Sequence, residues 1–153
     1  MKNSYLLLLV SSVIISCSSS NDEAEIVQIK YGTSFGECIG YCQRDLTIGP
    51  GLITFRESSW IDTLESIMHT DAITSTDWNE LRSSINVYSL LALPDVIGCP
   101  DCSDGGAEWL EVELSNGAIH KVIFEYNNEP HALKGCIPKF RELMFYYYDK
   151  TIS

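Results

Sequence analysis

A turn sequence at residues 49–52, flanked on both sides by alternating apolar residues, constrains the fold of this chain more than any other feature. Pro50 and Gly51 match the second and third positions of a type II turn. A two-residue loop there aligns four cross-strand pairs: Ile48 with Ile53, Thr47 with Thr54, Leu46 with Phe55, and Asp45 with Arg56. Because the apolar pairs share one face and the polar pairs the other, the sequence predicts a β-hairpin with one buried face.

A second turn sequence, Asn116-Gly117, also lies between alternating segments. Asn-Gly is a favoured pair for a type I′ turn, so it predicts a hairpin with a two-residue loop. That loop length places Leu114 opposite Ile119 and Trp109 opposite Phe124. Both faces of this hairpin are then partly apolar, and we expect cover on more than one side.

The remaining periodicities predict both strands and helices. Alternation over residues 25–31 predicts a strand, and residues 62–74 predict another that ends at Ala72-Ile73. Ser75 or Thr76 is expected to cap a helix whose apolar positions are Trp78, Leu81 and Ile85. Pro138 fits the start of a second helix, with apolar residues at helical spacing: Phe140, Leu143, Met144 and Tyr147. Because no βαβ unit repeats, we predict an α+β fold of antiparallel hairpins with two helices; a small β-barrel with a helix is the alternative.

Composition and charge limit the possible partners. The chain has 153 residues, 45% of them apolar, which is enough for one domain with one core. Ten Lys and Arg residues stand against 21 Asp and Glu residues, for a net charge of −11. Binding to a phosphate backbone needs a cationic face, so nucleic acid is excluded as an expected partner.

The N-terminus has the pattern of an export signal. Lys2 precedes an apolar run at residues 6–15, which has the length of a signal-peptide core and is too short to span a bilayer. The run ends in Ile14-Ile15-Ser16-Cys17, with an aliphatic residue three positions before the cysteine and a small residue just before it. This segment resembles the lipobox of bacterial lipoprotein precursors.

The resemblance implies that residues 1–16 are a signal peptide and that Cys17 is lipidated and becomes the N-terminus. Residues 17–24 would form a flexible tether, since they are polar and mostly Ser, Asn, Asp and Glu. Residues 25–153 would form a single globular domain. Ser18 after the cysteine implies the outer membrane by analogy with Gram-negative lipoproteins, and the Ser-rich, then acidic stretch is similar to some surface-export tethers. Membrane contact is expected through the lipid anchor only.

Four further cysteines form two close pairs, Cys38 with Cys42 and Cys99 with Cys102. Three interpretations are open: structural disulfides, a thiol-redox site of the Cys-x-x-Cys type, or a zinc site of four thiolates. The redox site lacks the helix that should follow its cysteines, because residues 104–106 are Asp-Gly-Gly. Disulfides are favoured, since an exported chain enters an oxidising compartment.

Backbone geometry then suggests which cysteines pair. If residues 38–42 are extended, the Cα atoms of Cys38 and Cys42 lie about 13 Å apart, beyond the ~7 Å limit for a disulfide. We therefore predict cross-links from Cys38 and Cys42 to the Cys99/Cys102 loop, with Cys136 left as a buried thiol beside the last helix. A tight turn at residues 38–42 would instead allow the local pairs 38–42 and 99–102.

The segment from Ser83 to His120 contains no Lys or Arg but has six carboxylates. They are Asp95, Asp101, Asp104, Glu108, Glu111 and Glu113. The segment includes a long loop, residues 93–106, with cysteines and prolines that limit its flexibility. We interpret it as a surface for a basic protein partner, or as a solvated acidic loop with no partner. The residues expected to contact the partner are Leu93, Pro94, Asp95, Val96, Ile97, Pro100, Asp101 and Asp104.

The sequence contains no Gly-x-Ser-x-Gly elbow, His-Glu-x-x-His motif, P-loop or dinucleotide-binding motif, so we predict no catalytic residue, metal or cofactor. In size, anchor and charge the chain resembles the small lipoprotein protease inhibitors called potempins. The favoured hypothesis is an outer-membrane lipoprotein that binds and blocks another protein, such as a secreted protease or a toxin with a basic surface. The alternatives are a thiol-redox or zinc protein of the envelope, and a glycan-binding accessory lipoprotein that uses Trp60, Trp109 or exposed tyrosines.

Overall fold

A computed structural model describes residues 24–60 and 64–151, which form one open sheet of seven strands with helices on one face. The strands are β1 (Ile26–Ser34), β2 (Gln43–Gly49), β3 (Leu52–Ser58), β4 (Ile67–Ala72), β5 (Val96–Ile97), β6 (Ala107–Leu114) and β7 (Ile119–Glu125). The helices are α1 (Ser75–Ser83), α2 (Val87–Leu91) and α3 (Ile137–Thr151), with 3-10 turns at Cys102–Asp104 and His131–Leu133.

The strand order is β4-β3-β2-β1-β6-β7-β5, antiparallel except where β5 runs parallel to β7. The predicted α+β fold is therefore confirmed, and the barrel alternative is wrong because the sheet stays open. The signal peptide, Cys17 and most of the tether lie outside the described residues.

The first hairpin forms in the predicted register. Ile48 pairs with Ile53, and Leu46 pairs with Phe55, and all four side chains are buried. On the opposite face the Arg56 guanidinium contacts the Asp45 carboxylate at 2.8 Å. The positive φ of Gly51, +84°, allows the tight turn that sets this alignment.

The second hairpin is shifted by one residue from the predicted register. Val112 faces His120 and Trp109 faces Ile123, because the loop contains three residues, 115–117, rather than two. Gly117 donates its N–H to the Leu114 carbonyl and has a φ of +82°, as in a type I turn followed by a left-handed residue. The prediction was wrong because Asn-Gly fits both loop lengths, and one residue of shift changes every pair across the strands.

Helix α3 crosses the face of the sheet and covers the core. The residues predicted from helical spacing supply its buried contacts: Phe140 stacks on Tyr31 of β1, and Tyr147 stacks on Phe55 of β3. Thr74, rather than the predicted Ser75 or Thr76, caps α1, and its hydroxyl accepts the Asp77 N–H. Helix α2 was not predicted, since its five residues are too few to show a period; Asn86 caps it and Leu90 is its buried residue.

The two ends of the sheet differ. One end, here called the hairpin end, has the two tight turns after β2 and β6. The other, the loop end, has longer connections, and three of them include residues 35–42, residues 59–60 with 64–66, and residues 98–106. Because β1 ends beside the start of β6, with Ser34 paired to Ala107, the first and third of these connections emerge next to each other.

Cys136 lies just before α3 as a buried free thiol, as predicted. Burial raises its pKa to about 11, and its thiol donates to the Leu133 carbonyl at 3.3 Å. The thiolate is the reactive form, so we expect Cys136 in a Cys17→Ser chain to resist Ellman's reagent at pH 8 until the protein is unfolded without reductant. Rapid reaction of the native protein would contradict this placement.

Candidate functional site

Both disulfides are local and lie at the loop end. Cys38 is bonded to Cys42, and Cys99 is bonded to Cys102. The predicted cross-links between the two segments are therefore wrong. Residues 38–42 are not extended: Gly40 has a φ of +95°, and the turn that it allows brings the two Cα atoms within 5.6 Å.

The connections that carry the two disulfides, residues 35–42 and 98–106, contact each other although no covalent bond joins them. The Gly36 N–H donates to the Asp101 carboxylate at 3.1 Å. The Phe35 ring lies so close to Gly106 that a side chain there would overlap it, and it meets the Tyr126 ring edge-on at 5.0 Å. The loops are thus held together by a hydrogen bond and by an aromatic ring that fills the space between them.

Glu125, at the end of β7, fixes the second loop to the sheet. Its carboxylate accepts the Cys99 N–H at 2.9 Å and the Asn128 side-chain amide at 2.7 Å. The hydrogen bond from Cys99 is the main reason why the pKa of Glu125 lies below its usual range, and the bond from Asn128 adds to the effect. The loop that carries the Cys99–Cys102 disulfide therefore has a defined position relative to the sheet.

Large apolar side chains project from this end of the molecule. Ile39 is fully exposed at the tip of the loop closed by the Cys38–Cys42 disulfide, with a relative exposure of 100%. Trp60 is 55% exposed, yet its indole N–H donates to the Phe35 carbonyl at 2.9 Å, which ties it to the same loop. Ile39 was not among the predicted site residues. The sequence feature that could have indicated its exposure is an apolar residue between a cysteine and a glycine, inside a short loop that two cysteines can close.

The three connections at the loop end are acidic. Residues 35–42, 59–66 and 98–106 contain no Lys or Arg. Their described carboxylates are Glu37, Glu65, Asp101 and Asp104. This surface therefore combines exposed apolar side chains with carboxylates around them.

The predicted partner-binding loop divides into two parts. In its first part Leu93 and Ile97 pack against the core, and Val96 lies in β5, paired with Ile123. Pro94 and Asp95 are exposed there, although the Asp95 carbonyl accepts the Ile123 N–H. In the second part Asp104 is exposed, while Pro100 and Asp101 are half-buried. Only the second part, which contains the Cys99–Cys102 disulfide, lies beside the connection that carries Ile39.

Glu108, assigned to the acidic surface by its sequence position, is fully buried under α3. Its carboxylate accepts four hydrogen bonds: from the Tyr31 hydroxyl at 2.6 Å, from Arg141 Nε at 2.9 Å and Nη2 at 2.7 Å, and from the Asn127 N–H at 3.1 Å. Arg141 also contacts Glu129 at 2.6 Å. Burial opposes the charge on Arg141, but the two carboxylates raise the pKa of its guanidinium. Glu108 therefore stabilises the attachment of α3 and does not face a partner.

Two other carboxylates of the acidic segment are also engaged within the protein. Glu111 contacts Lys30 of β1 at 3.0 Å, and Asp101 binds the Gly36 N–H. The uninterrupted acidic surface expected from residues 83–120 therefore does not form, because the sheet places basic residues from distant parts of the chain beside it.

The structure also shows where the residues of the zinc, redox and glycan-binding hypotheses lie. The four sulfur atoms that a zinc site would need are joined in two disulfides, and within residues 24–60 and 64–151 no three His, Cys, Asp or Glu side chains are clustered as metal ligands. Cys102 begins a 3-10 turn of three residues rather than an α-helix. Trp109 is only 8% exposed, because it lies over Gly32.

Comparison with known proteins adds no relative: no protein-family model matches the sequence, and no curated protein matches it. Among the described residues no helix is long and apolar enough to cross a membrane. The two disulfides indicate a protein of an oxidising, extracytoplasmic compartment.

Proposed function

We propose that this chain is an outer-membrane lipoprotein that inhibits a secreted protease or toxin by inserting its disulfide-closed loops into a cleft of that protein. The lipobox at Cys17 supports the anchoring, and the disulfides support export. The observation that carries the proposal is the fully exposed Ile39 at the tip of a five-residue loop closed by a disulfide.

Rigidity is what makes such a loop suitable for blocking a cleft. A flexible segment loses conformational entropy when it docks, and this loss subtracts from affinity. Here the disulfide, the Gly36–Asp101 hydrogen bond and the Trp60–Phe35 hydrogen bond restrict the loop before binding. Most of the interaction energy between proteins comes from a few anchors that fill pockets on the partner, and Ile39 and Trp60 have the exposure to act as such anchors.

The chemistry of the loop end also defines the partner. Ile39 requires an apolar pocket, and the carboxylates of the surrounding connections require a basic rim. Complementary charge speeds association and disfavours acidic partners. We therefore propose a partner with a basic cleft that has an apolar pocket at its base. The interaction lies at the Cys38–Cys42 loop, with the Cys99–Cys102 loop beside it, rather than along the whole of residues 93–106.

The proposal predicts that Ile39→Asp weakens binding to the target by about 30-fold or more, because a charged group would enter an apolar pocket. A non-lipidated chain, residues 17–153 with Cys17→Ser, is immobilised and exposed to the secreted proteins of its source. Recovered proteins are then assayed for protease or toxin activity while the free chain is titrated in. Stoichiometric loss of that activity is expected.

Ile119→Asp is the matched control, since Ile119 is 61% exposed at the hairpin end. It introduces the same change of charge on the same residue type, and its binding should equal that of the unsubstituted chain. Equal capture by the Ile39→Asp chain, or a recovered protein whose activity survives saturation, would overturn the proposal.

A further inference from the structure

A groove of about 630 Å³ lies between α1 and α3, on the side of α3 away from the Arg141 ion pairs. Its floor is apolar and is formed by Ile53, Ile73, Leu81, Leu143 and Tyr147. These side chains belong to the core or pack against it, so the floor is preformed. The volume is typical of sites that take a small ligand or a few side chains of a peptide.

The rim of the groove is acidic on both sides. Helix α1 contributes Asp77 and Glu80, and α3 contributes Glu142. The basic residue at the rim, Lys139, is engaged with Glu80 at 2.7 Å. Asp77 accepts a hydrogen bond from the Thr74 hydroxyl and lies in the first turn of α1, where the helix dipole favours its negative charge. Three carboxylates against one ammonium give the rim an excess of negative charge.

We propose that this groove binds a short basic peptide segment in which an aliphatic or aromatic residue has Lys or Arg on both sides. The apolar residue would lie on the floor against Leu143 and Leu81. The flanking cations would reach Asp77 on one wall and Glu142 on the other. The site is separate from the loop end and does not depend on the proposed function.

The arrangement of charges favours a peptide over a small cation. Carboxylates occur on both walls with apolar surface between them. The ligand that matches this pattern has an apolar group with one positive charge on each side of it. A basic amphipathic segment of a protein has this pattern, and it would lay its apolar side chains into the groove. Charge complementarity would then set its orientation.

The test uses the non-lipidated chain and a fluorescein-labelled peptide of about 12 residues built from Leu and Lys in an amphipathic pattern. Fluorescence anisotropy measures the affinity. We expect Glu142→Lys to weaken binding about tenfold or more, since it replaces attraction by repulsion at one wall. Glu142 is exposed, so this variant should fold like the parent chain, which its thermal melting temperature checks.

Glu113→Lys is the matched control, because it makes the same change of charge in β6, at a position that belongs neither to the groove nor to the loop end. If the net charge of the chain alone attracted the peptide, both variants would weaken binding equally. That result, or equal binding of a Leu/Glu peptide, or no binding at millimolar concentration, would overturn the proposal. Self-association in sedimentation velocity, if abolished by Glu142→Lys while the Leu/Lys peptide does not compete, would assign the groove to a second copy of the chain instead.

Discussion

Replacing Arg141 with methionine is expected to lower the free energy of unfolding by about 3–5 kcal/mol. Arg141 gives the buried Glu108 carboxylate two of its four hydrogen bonds and its compensating charge. Methionine fills similar space but supplies neither, so Glu108 would remain buried as an unpaired charge. Urea unfolding monitored by circular dichroism measures the change.

Two comparisons test the cause of this loss. Arg82→Met makes the same substitution at an ion pair whose Glu25 partner is 71% exposed, and it should cost less than about 1 kcal/mol. Removing both charges in Arg141→Met/Glu108→Leu should recover part of the stability, because the fully buried charge is gone and only the partly exposed Glu129 has lost its Arg141 contact. A double variant less stable than Arg141→Met alone would contradict this explanation.

Replacing Gly32 with valine is expected to destabilise the protein by about 3 kcal/mol or more. Gly32 lies in β1 directly opposite Trp109 of β6, and the indole ring covers its backbone. Any side chain at this position would overlap the ring and approach the Arg44 carbonyl. Lys121 lies over the same ring, with its ammonium 4.8 Å from the centroid, so the indole is held from above.

Gly49→Val is the matched control for this prediction. Gly49 also lies in a strand, but a Cβ there would meet only the Val27 carbonyl at 3.9 Å, an ordinary contact. Its cost in thermal unfolding should be much smaller. Combining Gly32→Val with Trp109→Ala should cost at least 1 kcal/mol less than the two single changes together, since the overlap with the ring disappears and only the contact with the Arg44 carbonyl remains. Additive costs would mean that the indole is not the obstacle.

Much of the secondary structure could be predicted because it depends on local patterns. The first hairpin has apolar pairs in only one register, and a shift of one residue would bury Thr47 and expose Ile48. The apolar face of α3 was predicted from its spacing and packs on the sheet as expected. The second hairpin was misaligned because both of its faces are partly apolar, so the pattern does not distinguish a loop of two residues from one of three.

The candidate site could be predicted only in part. The cysteines and the predicted loop at residues 93–106 drew attention to the end of the sheet where the two disulfides lie. The exposed Ile39 and Trp60 were missed in that role, because single-sequence patterns do not show which apolar side chains lack cover. The cross-link prediction failed because it assumed an extended backbone at residues 38–42, where Gly40 permits a turn.

By itself the sequence determined the acidic charge, the α+β class and the register of the first hairpin, since the charge follows from composition and the other two from residues close together in the chain. The tertiary structure decided which charges meet. Glu108 and Arg141 are 33 residues apart and become an ion pair only when α3 crosses β6. The acidic segment therefore does not form one continuous surface: the fold buries one of its carboxylates and pairs another with a lysine from β1, because contacts across a sheet join residues that no local pattern relates.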